Sequence, residues 1–312
     1  MKKIGIVFNG SKSRRKLQNF LDLLPKTYET KIFVTSNVDD ITLQTQKAIG
    51  WECDLLVSAG GDGTLLYVIN SLKDFQVPLM PLPLGTGNDF SSMLGIRSME
   101  EAVAALEKQT LTKIDLVETC YSGLNQQRQN KIFCSTAGVG IFANLFRQEN
   151  FLVVKMLRKI FGNLMNYICF VVSFFITRHV QCRVHFENGK QDFLLKVFEV
   201  SNVRECGGLV FTPCANTNNS IFDLWIVSNT NVFDAARIFF KILLQKHIHD
   251  TKVDYFCHTE KYNRYGLSHL TNIQLEITQN YPFHLHGEFI GYSPEYFKLL
   301  PHKLSFLALL DN

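Results

Sequence analysis

The stretch that most restricts this chain is Ser58-Ala59-Gly60-Gly61-Asp62-Gly63-Thr64. The apolar run Asp54-Leu55-Leu56-Val57 leads into it and reads as a short buried strand. Leu65, Leu66, Ile69 and Leu72 follow at helical spacing. A strand, a glycine turn and a helix make one αβ unit, and repeated αβ units build a parallel sheet. Gly60, Gly61 and Gly63 let the backbone take positive φ and approach a ligand closely. The helix start, from Asp62 to Thr64, turns N–H groups toward that ligand, which suits a phosphate. Asp62 in such a turn can hold Mg²⁺ or its waters. Taken alone, an ordinary tight αβ turn explains the same residues.

A second stretch shifts that balance. Pro81-Leu82-Pro83-Leu84-Gly85-Thr86-Gly87-Asn88-Asp89-Phe90 ends the next apolar strand and opens another helix. Two Gly/Thr/Asp turns at successive strand ends converge on one crevice of an open α/β sheet. GGDGT followed by P-x-GT-x-NDF resembles the catalytic domain of the diacylglycerol and sphingosine kinase superfamily, and the compact bacterial lipid kinases in particular. GGDGT is shared with NAD kinases; GTGNDF is far more specific to the lipid kinases. The resemblance runs from Ile4 to the C-terminus.

Composition is compatible with that reading. The 312 residues are 46% hydrophobic and 19% charged, which supports a buried core and excludes a disordered chain. A net charge of +4 is too weak to argue for nucleic acid and suits an anionic substrate or membrane surface. Eight cysteines with no C-x-x-C read as free thiols of a reducing compartment. Met1-Lys2-Lys3 leads into a first strand and not a signal sequence. The longest apolar stretch, residues 167–176, is about half the ~20 residues of a spanning helix. The expectation is a cytoplasmic protein, peripheral on the inner face of the membrane.

Along the chain, residues 4–8, 30–34 and 54–57 read as strands alternating with helices that carry Leu17, Phe20 and Leu21 and residues 40–49. Ser98 and Glu101 form a capping box for a further helix. From Lys113 onward most segments read as strands, among them 114–121, 132–136, 180–186, 193–200, 221–227 and 273–277. The fold class is therefore α/β with two domains. The first is a Rossmann-like nucleotide-binding domain, residues 1–118 plus a returning C-terminal segment, 295–312. The second, residues 119–294, is a mostly antiparallel β domain with helical insertions, and the active-site cleft lies between them. Residues 137–140 match a glycine-rich turn of the family. In residues 151–176, Lys155, Arg158 and Lys159 share one helical face, a pattern compatible with either a membrane surface or a solvated core helix. Residues 233–244 read as a second apolar helix.

The resemblance implies ATP and Mg²⁺ as cofactors and a lipid substrate, with no nucleic-acid partner; a homodimer is compatible with it. Nucleotide binding falls to Gly60, Gly61, Asp62, Gly63, Thr64, Leu65 and Leu66, to Gly85, Thr86 and Asn88, to Thr35 after the second strand, and to the loop Asn9, Gly10, Ser11, Lys12 and Ser13. That loop departs from the family pattern, with Asn-Gly for Asn-Pro, and Leu66 replaces a commonly polar residue. Asp62, with Asp89, handles the metal, although Asp89 could instead cap its helix. The family's late Asp-Gly-Glu is here His286-Gly287-Glu288, which makes Glu288 the base and leaves His286 as the main departure. His286 is either a neutral hydrogen-bonding stand-in or, when protonated near pH ~6.5, a group that weakens Glu288 as a base. A structural Mg²⁺ of the family would be held by Asn216, Asn219 and Ile221, with Asn219 in place of an Asp, although an ordinary turn at Asn218-Asn219 explains the same residues and is the reading favoured here. His284, His286 and Glu288 as zinc ligands are a weaker alternative, because Gly287 interrupts the strand. The functional expectation is an ATP-dependent kinase acting on a diacylglycerol-like, sphingoid or phosphatidylglycerol-like lipid. Alternatives are a NAD kinase and a catalytically impaired nucleotide- or lipid-binding relic.

Overall fold

The apolar runs of the first third pair side by side in one direction, because each is followed by a helix that carries the chain back across the sheet. In the computed structural model, which describes residues 2–149, 154, 164–206, 209–231, 233–234, 237–238, 241, 252–257 and 270–309, this part contains β1 (Lys2–Asn9), α1 (Arg14–Leu23), β2 (Tyr28–Thr35), α2 (Val38–Gly50), β3 (Leu55–Gly60), α3 (Asp62–Asn70), β4 (Leu79–Pro83), α4 (Asp89–Met93) and α5 (Met99–Lys108). β2, β1, β3 and β4 lie in that order, all parallel. Local chemistry sets the helix starts. Ser13 accepts from the Lys16 N–H, Asn37 from the Asp40 N–H, and Ser98 with Glu101 forms the expected capping box.

The remainder is antiparallel: β5 (Leu111–Gly123), β6 (Arg128–Phe133), β7 (Thr136–Gly140), α6 (Ile141–Glu149), α7 (Leu164–Ile176), β8 (Val180–Phe186), β9 (Gly189–Ser201), β10 (Glu205–Cys206), β11 (Leu209–Val210), β12 (Asp223–Ser228), β13 (Val253–Phe256), β14 (Asn272–Ile277), β15 (Pro282–Leu285) and β16 (Glu288–Leu307). β16 joins the two textures. It pairs antiparallel with β15, β14 and β5, and its end lies parallel to β4, with Phe306 opposite Leu79. The returning segment read from the sequence is thus the end of one 20-residue strand. Among the described residues, fourteen strands form one continuous sheet.

Two apolar cores flank this junction. One gathers Ile6, Val57, Leu82, Phe90 and Phe306; Phe90 and Phe306 meet edge-on at 4.9 Å. The other gathers Val117, Phe198, Phe283 and Phe297. Helix α3 is held by both, Leu65 in the first core and Leu66 in the second. Burying a side chain of this size contributes about 1.5–3 kcal/mol, so the glycine turn that starts α3 is anchored from two sides.

Two sequence expectations change. Residues 132–136 are not one strand: β6 ends at Phe133 and β7 begins at Thr136. The Cys134 and Ser135 N–H groups between them donate to the His286 ring instead of to a ladder. Residues 137–140 are strand and not turn, since β7 pairs with β9 on one side and β15 on the other. The basic face at Lys155, Arg158 and Lys159 lies outside the described residues, as does most of 233–244.

Candidate active site

The carboxyl ends of β1, β3 and β4 open on one cleft of about 660 Å³, and the β15–β16 turn closes it from the opposite side. Its wall includes Asn9, Lys12, Gly61, Asp62, Gly63, Thr64, Gly85, Thr86, Gly87 and Asp89, together with His286, Gly287 and Glu288. Residues far apart in the chain, predicted separately from the sequence, therefore meet at one place.

The two glycine turns are in contact. A Cβ on Gly85 would fall 2.6 Å from the Gly61 Cα, so neither position tolerates a side chain without movement of the backbone. Asn88 fastens the second turn to itself: its Oδ1 accepts from the Gly85 N–H at 2.8 Å and its Nδ2 donates to the Gly85 carbonyl at 3.0 Å. Asn88 sits at φ 60° and makes no side-chain cap for α4. That cap comes from the first turn, because the Asp62 carboxylate accepts the N–H groups of Asp89, at 3.2 Å, and Phe90, at 3.1 Å. The Asp62 carboxylate therefore caps α4. The first turn is tied to β1 in the same way, with Asn9 Nδ2 donating to Thr64 Oγ1 at 3.0 Å.

Asp62 and Asp89 also face each other across Gly87. A Cβ at Gly87 would lie 3.4 Å from one Asp62 oxygen and 3.6 Å from an Asp89 oxygen. Two carboxylates converging on an open wall beside the N-terminus of α3 fit Mg²⁺, which takes one or two carboxylates and keeps several waters.

Glu288 is exposed and stands over the same helix start. A Cβ on Gly63 would fall 2.8 Å from Glu288 Oε1. With glycine at 63 the carboxylate from β16 stands this close to the α3 backbone without displacement, whereas any side chain there would push the Glu288 carboxylate aside. Tyr67, one turn further along α3, also lines the cleft. Its position four residues after Gly63 was the available sequence signal. Ser135, Thr136 and Phe146 on the wall had no comparable signal.

His286 borders the cleft but is only 6% exposed, and both its ring nitrogens are committed. Nε2 accepts the N–H groups of Cys134 and Ser135, each at 3.1 Å. Nδ1 lies 3.0 Å from the Asp62 carbonyl, which can only accept, so Nδ1 carries the proton. The ring is a neutral bridge between the α3 turn, the β6–β7 break and the turn that bears Glu288. Burial holds its pKa below the usual range, against the opposing pull of Asp62, and nearby His284 adds to the lowering. The expectation that a protonated His286 weakens Glu288 near pH ~6.5 is thereby corrected, since protonation would set an N–H against two N–H donors. The zinc alternative also lapses: His284 Nε2 turns to Glu199 at 3.0 Å, and among the described residues no three or more His, Cys, Asp or Glu side chains gather as a metal site.

A stability effect follows from this bridge. The unfolded chain binds the His286 proton near pH ~6.5 and the folded chain only at lower pH. The stability His286 contributes is therefore complete above ~6.5 and is lost as pH falls through that value toward the folded pKa. His286→Gln should flatten the acid limb of a melting-temperature profile relative to wild type. Parallel acid limbs in the two proteins would show that the ring titrates alike in both states.

Several predicted contacts do not reach the cleft. Thr35 is 2% exposed, and its carbonyl is taken by the Gly10 N–H at 2.9 Å. Ser11 turns back to Asn9 and Ser13 caps α1, so Asn9 and Lys12 alone of that loop line the wall. Leu65 and Leu66 are core residues, and the Leu65 N–H is bonded to the Gly61 carbonyl. Asn216, Asn219 and Ile221 lie away from the cleft, on the loop before β12. The residues there do not fit a cation. Oriented so that both groups are satisfied, the Asn219 amide nitrogen donates to the Asn216 and Ile221 carbonyls, each at 3.1 Å.

Comparison with known proteins agrees with this geometry. The diacylglycerol kinase catalytic domain profile matches residues 3–119, which carry both glycine turns. A diacylglycerol kinase of Bacillus subtilis (strain 168) is 27% identical over 93% of this chain and 94% of its own. One from Staphylococcus aureus (strain bovine RF122 / ET3-1) is 25% identical over 100% and 96%. A solved diacylglycerol kinase from Bacillus anthracis str. Sterne shares the fold with a TM-score of 0.68, at 16% identity over 98% and 96%. A yeast NADH kinase complexed with NADH is more distant, with a TM-score of 0.55 at 10% identity over 100% and 84%. Residues 3–119, with the two touching glycine turns, thus match a diacylglycerol kinase catalytic domain, and over its full length the chain is similar to bacterial diacylglycerol kinases.

Proposed function

We propose that this lipid kinase uses ATP and transfers the γ-phosphoryl group to the hydroxyl of a diacylglycerol-like lipid. The observation that carries the reading is the Glu288 carboxylate standing against Gly63, where the α3 turn would receive phosphates. In this scheme the glycine turns and Lys12 bind the triphosphate, and the lipid hydroxyl enters beside Glu288. Glu288 takes the hydroxyl proton as that oxygen attacks the γ-phosphorus and ADP leaves. When bound, Mg²⁺ would neutralise charge on the transferring group, held by Asp62 and Asp89. Residues 1–118 with 295–312 would act as the nucleotide domain and 119–294 as the lipid domain.

No helix of the described residues is long and apolar enough to cross a membrane. Contact with a bilayer at the inner, cytoplasmic face would instead use α7. Ile168, Val171, Val172, Phe175 and Ile176 form one exposed apolar stripe, while Cys169, Ser173 and Phe174 are buried. Hydrogen bonds from Asn144 to Thr177 and from Gln148 to Ser173 tie this region to α6, whose Phe146 lines the cleft.

Turnover of labelled ATP against diacylglycerol, a sphingoid base, phosphatidylglycerol and NAD tests the reading. Labelled phosphatidic acid is the expected product, and Phe175→Glu should lower the rate on vesicles more than on detergent-dispersed lipid. Phosphorylated NAD with no lipid product would establish the NAD kinase alternative. Nucleotide binding without any turnover would establish a relic.

A further inference from the structure

The loop before β12 is where Asp115, buried on β5, gathers its partners. Its carboxylate accepts the Ser220 N–H at 2.6 Å and the His302 N–H at 2.7 Å. Its backbone N–H donates to the Thr217 carbonyl at 2.7 Å, and its carbonyl accepts from Asn202 at 3.0 Å. The loop thereby joins β5 to the bend of β16 at His302, close to where the antiparallel strands run into the parallel ones. Two carbonyls of this loop, those of Asn216 and Ile221, each lie 3.1 Å from one terminal atom of the Asn219 amide, and both are satisfied when that atom is its nitrogen.

We propose that the Asn219 amide takes over the work a divalent cation would do in this loop, so that the β5–β16 junction holds together without metal. An amide NH₂ has two N–H donors, one for each carbonyl. It supplies the positive pole the carbonyls require and brings no net charge beside the buried Asp115. This makes the loop one substitution away from a cation site. Asn219→Asp places a carboxylate oxygen where the donor stood, 3.1 Å from each carbonyl oxygen. Three oxygens then converge with nothing between them, a set suited to a hard cation and to nothing neutral. The inference does not depend on which phosphoryl acceptor the enzyme uses.

Thermal unfolding of the full chain without nucleotide tests it, in chelator and in millimolar Mg²⁺, for wild type, Asn219→Ala and Asn219→Asp. Metal response at Asp62 and Asp89 is common to all three proteins and cancels in the differences. In chelator, both variants should melt below wild type, Asn219→Ala by about 2–4 °C. Mg²⁺ should raise Asn219→Asp toward wild type and leave the gap between wild type and Asn219→Ala unchanged. A gap between wild type and Asn219→Ala that widens with Mg²⁺ would make Asn219 a metal ligand and overturn the proposal. So would an Asn219→Ala protein that melts with wild type, or an Asn219→Asp protein indifferent to Mg²⁺.

Discussion

Glu288→Gln should lower turnover by about 10²–10⁴-fold, the range lost when a positioned general base is removed, while leaving the protein folded. The substitution keeps the size of the side chain and its place against Gly63, so the packing that brings β16 to the α3 turn is preserved. What it removes is the capacity to accept a proton from the lipid hydroxyl. Because Glu288 is exposed in the cleft, its neutral replacement leaves no buried charge behind. ATP affinity should therefore change little, and the loss should appear in kcat. Initial rates together with ATP binding by calorimetry make the check. A variant that turns over near the wild-type rate would exclude Glu288 as the base and leave positioning of the hydroxyl as the source of catalysis.

Asp62→Asn should cost about 10²–10³-fold in kcat, comparable to losing one preorganised group that stabilises transition-state charge. Two effects combine at this position. The carboxylate caps α4 through the Asp89 and Phe90 N–H groups, and Asn can accept only one of them well while turning its NH₂ toward the other. It also loses the negative charge that, with Asp89, fits a divalent cation. Asp89→Asn separates the two effects, since it removes charge at the same place and leaves the cap intact. If both variants lose activity alike and need more Mg²⁺, charge dominates. If only Asp62→Asn is impaired, the cap that fixes the Gly85–Gly87 turn is the more important. Full activity in Asp62→Asn would remove this residue from the mechanism.

Local signals that depend on near neighbours in the chain held up in detail. The Ser98/Glu101 capping box, the strand–glycine–helix succession around Gly60 and the parallel alternation of the first third all depend on residues within a turn or two of one another. A helix cap or a buried strand is a short-range decision, and the side chains that make it are written side by side. The basic loop was less informative, because four cations within five residues do not say which one faces a ligand. Only the start of α1 at Arg14 sets Lys12 on the cleft and carries Arg14, Arg15 and Lys16 onto an exposed helix.

The sequence by itself determined an α/β fold, the two glycine turns, and Asp62 and Glu288 as the carboxylates worth testing. Tertiary structure decided what those residues and their neighbours touch. Leu65 and Leu66 follow a glycine turn in the chain but are drawn into two different cores, so they anchor the turn and cannot contact a ligand through their side chains. His286 stands where the family pattern carries an Asp and is open in the sequence to a neutral or a protonated reading; burial and three backbone partners fix it as a neutral bridge. Asn219 is read from its place in the loop as either a weak cation ligand or an ordinary turn residue; with its amide oriented so that both groups are satisfied, its nitrogen meets the two carbonyls a cation would need. In each case the outcome depends on groups brought together by a strand pairing or a loop closure. The protonation, orientation and burial of a side chain are set by what surrounds it in space, and a linear sequence does not contain that environment.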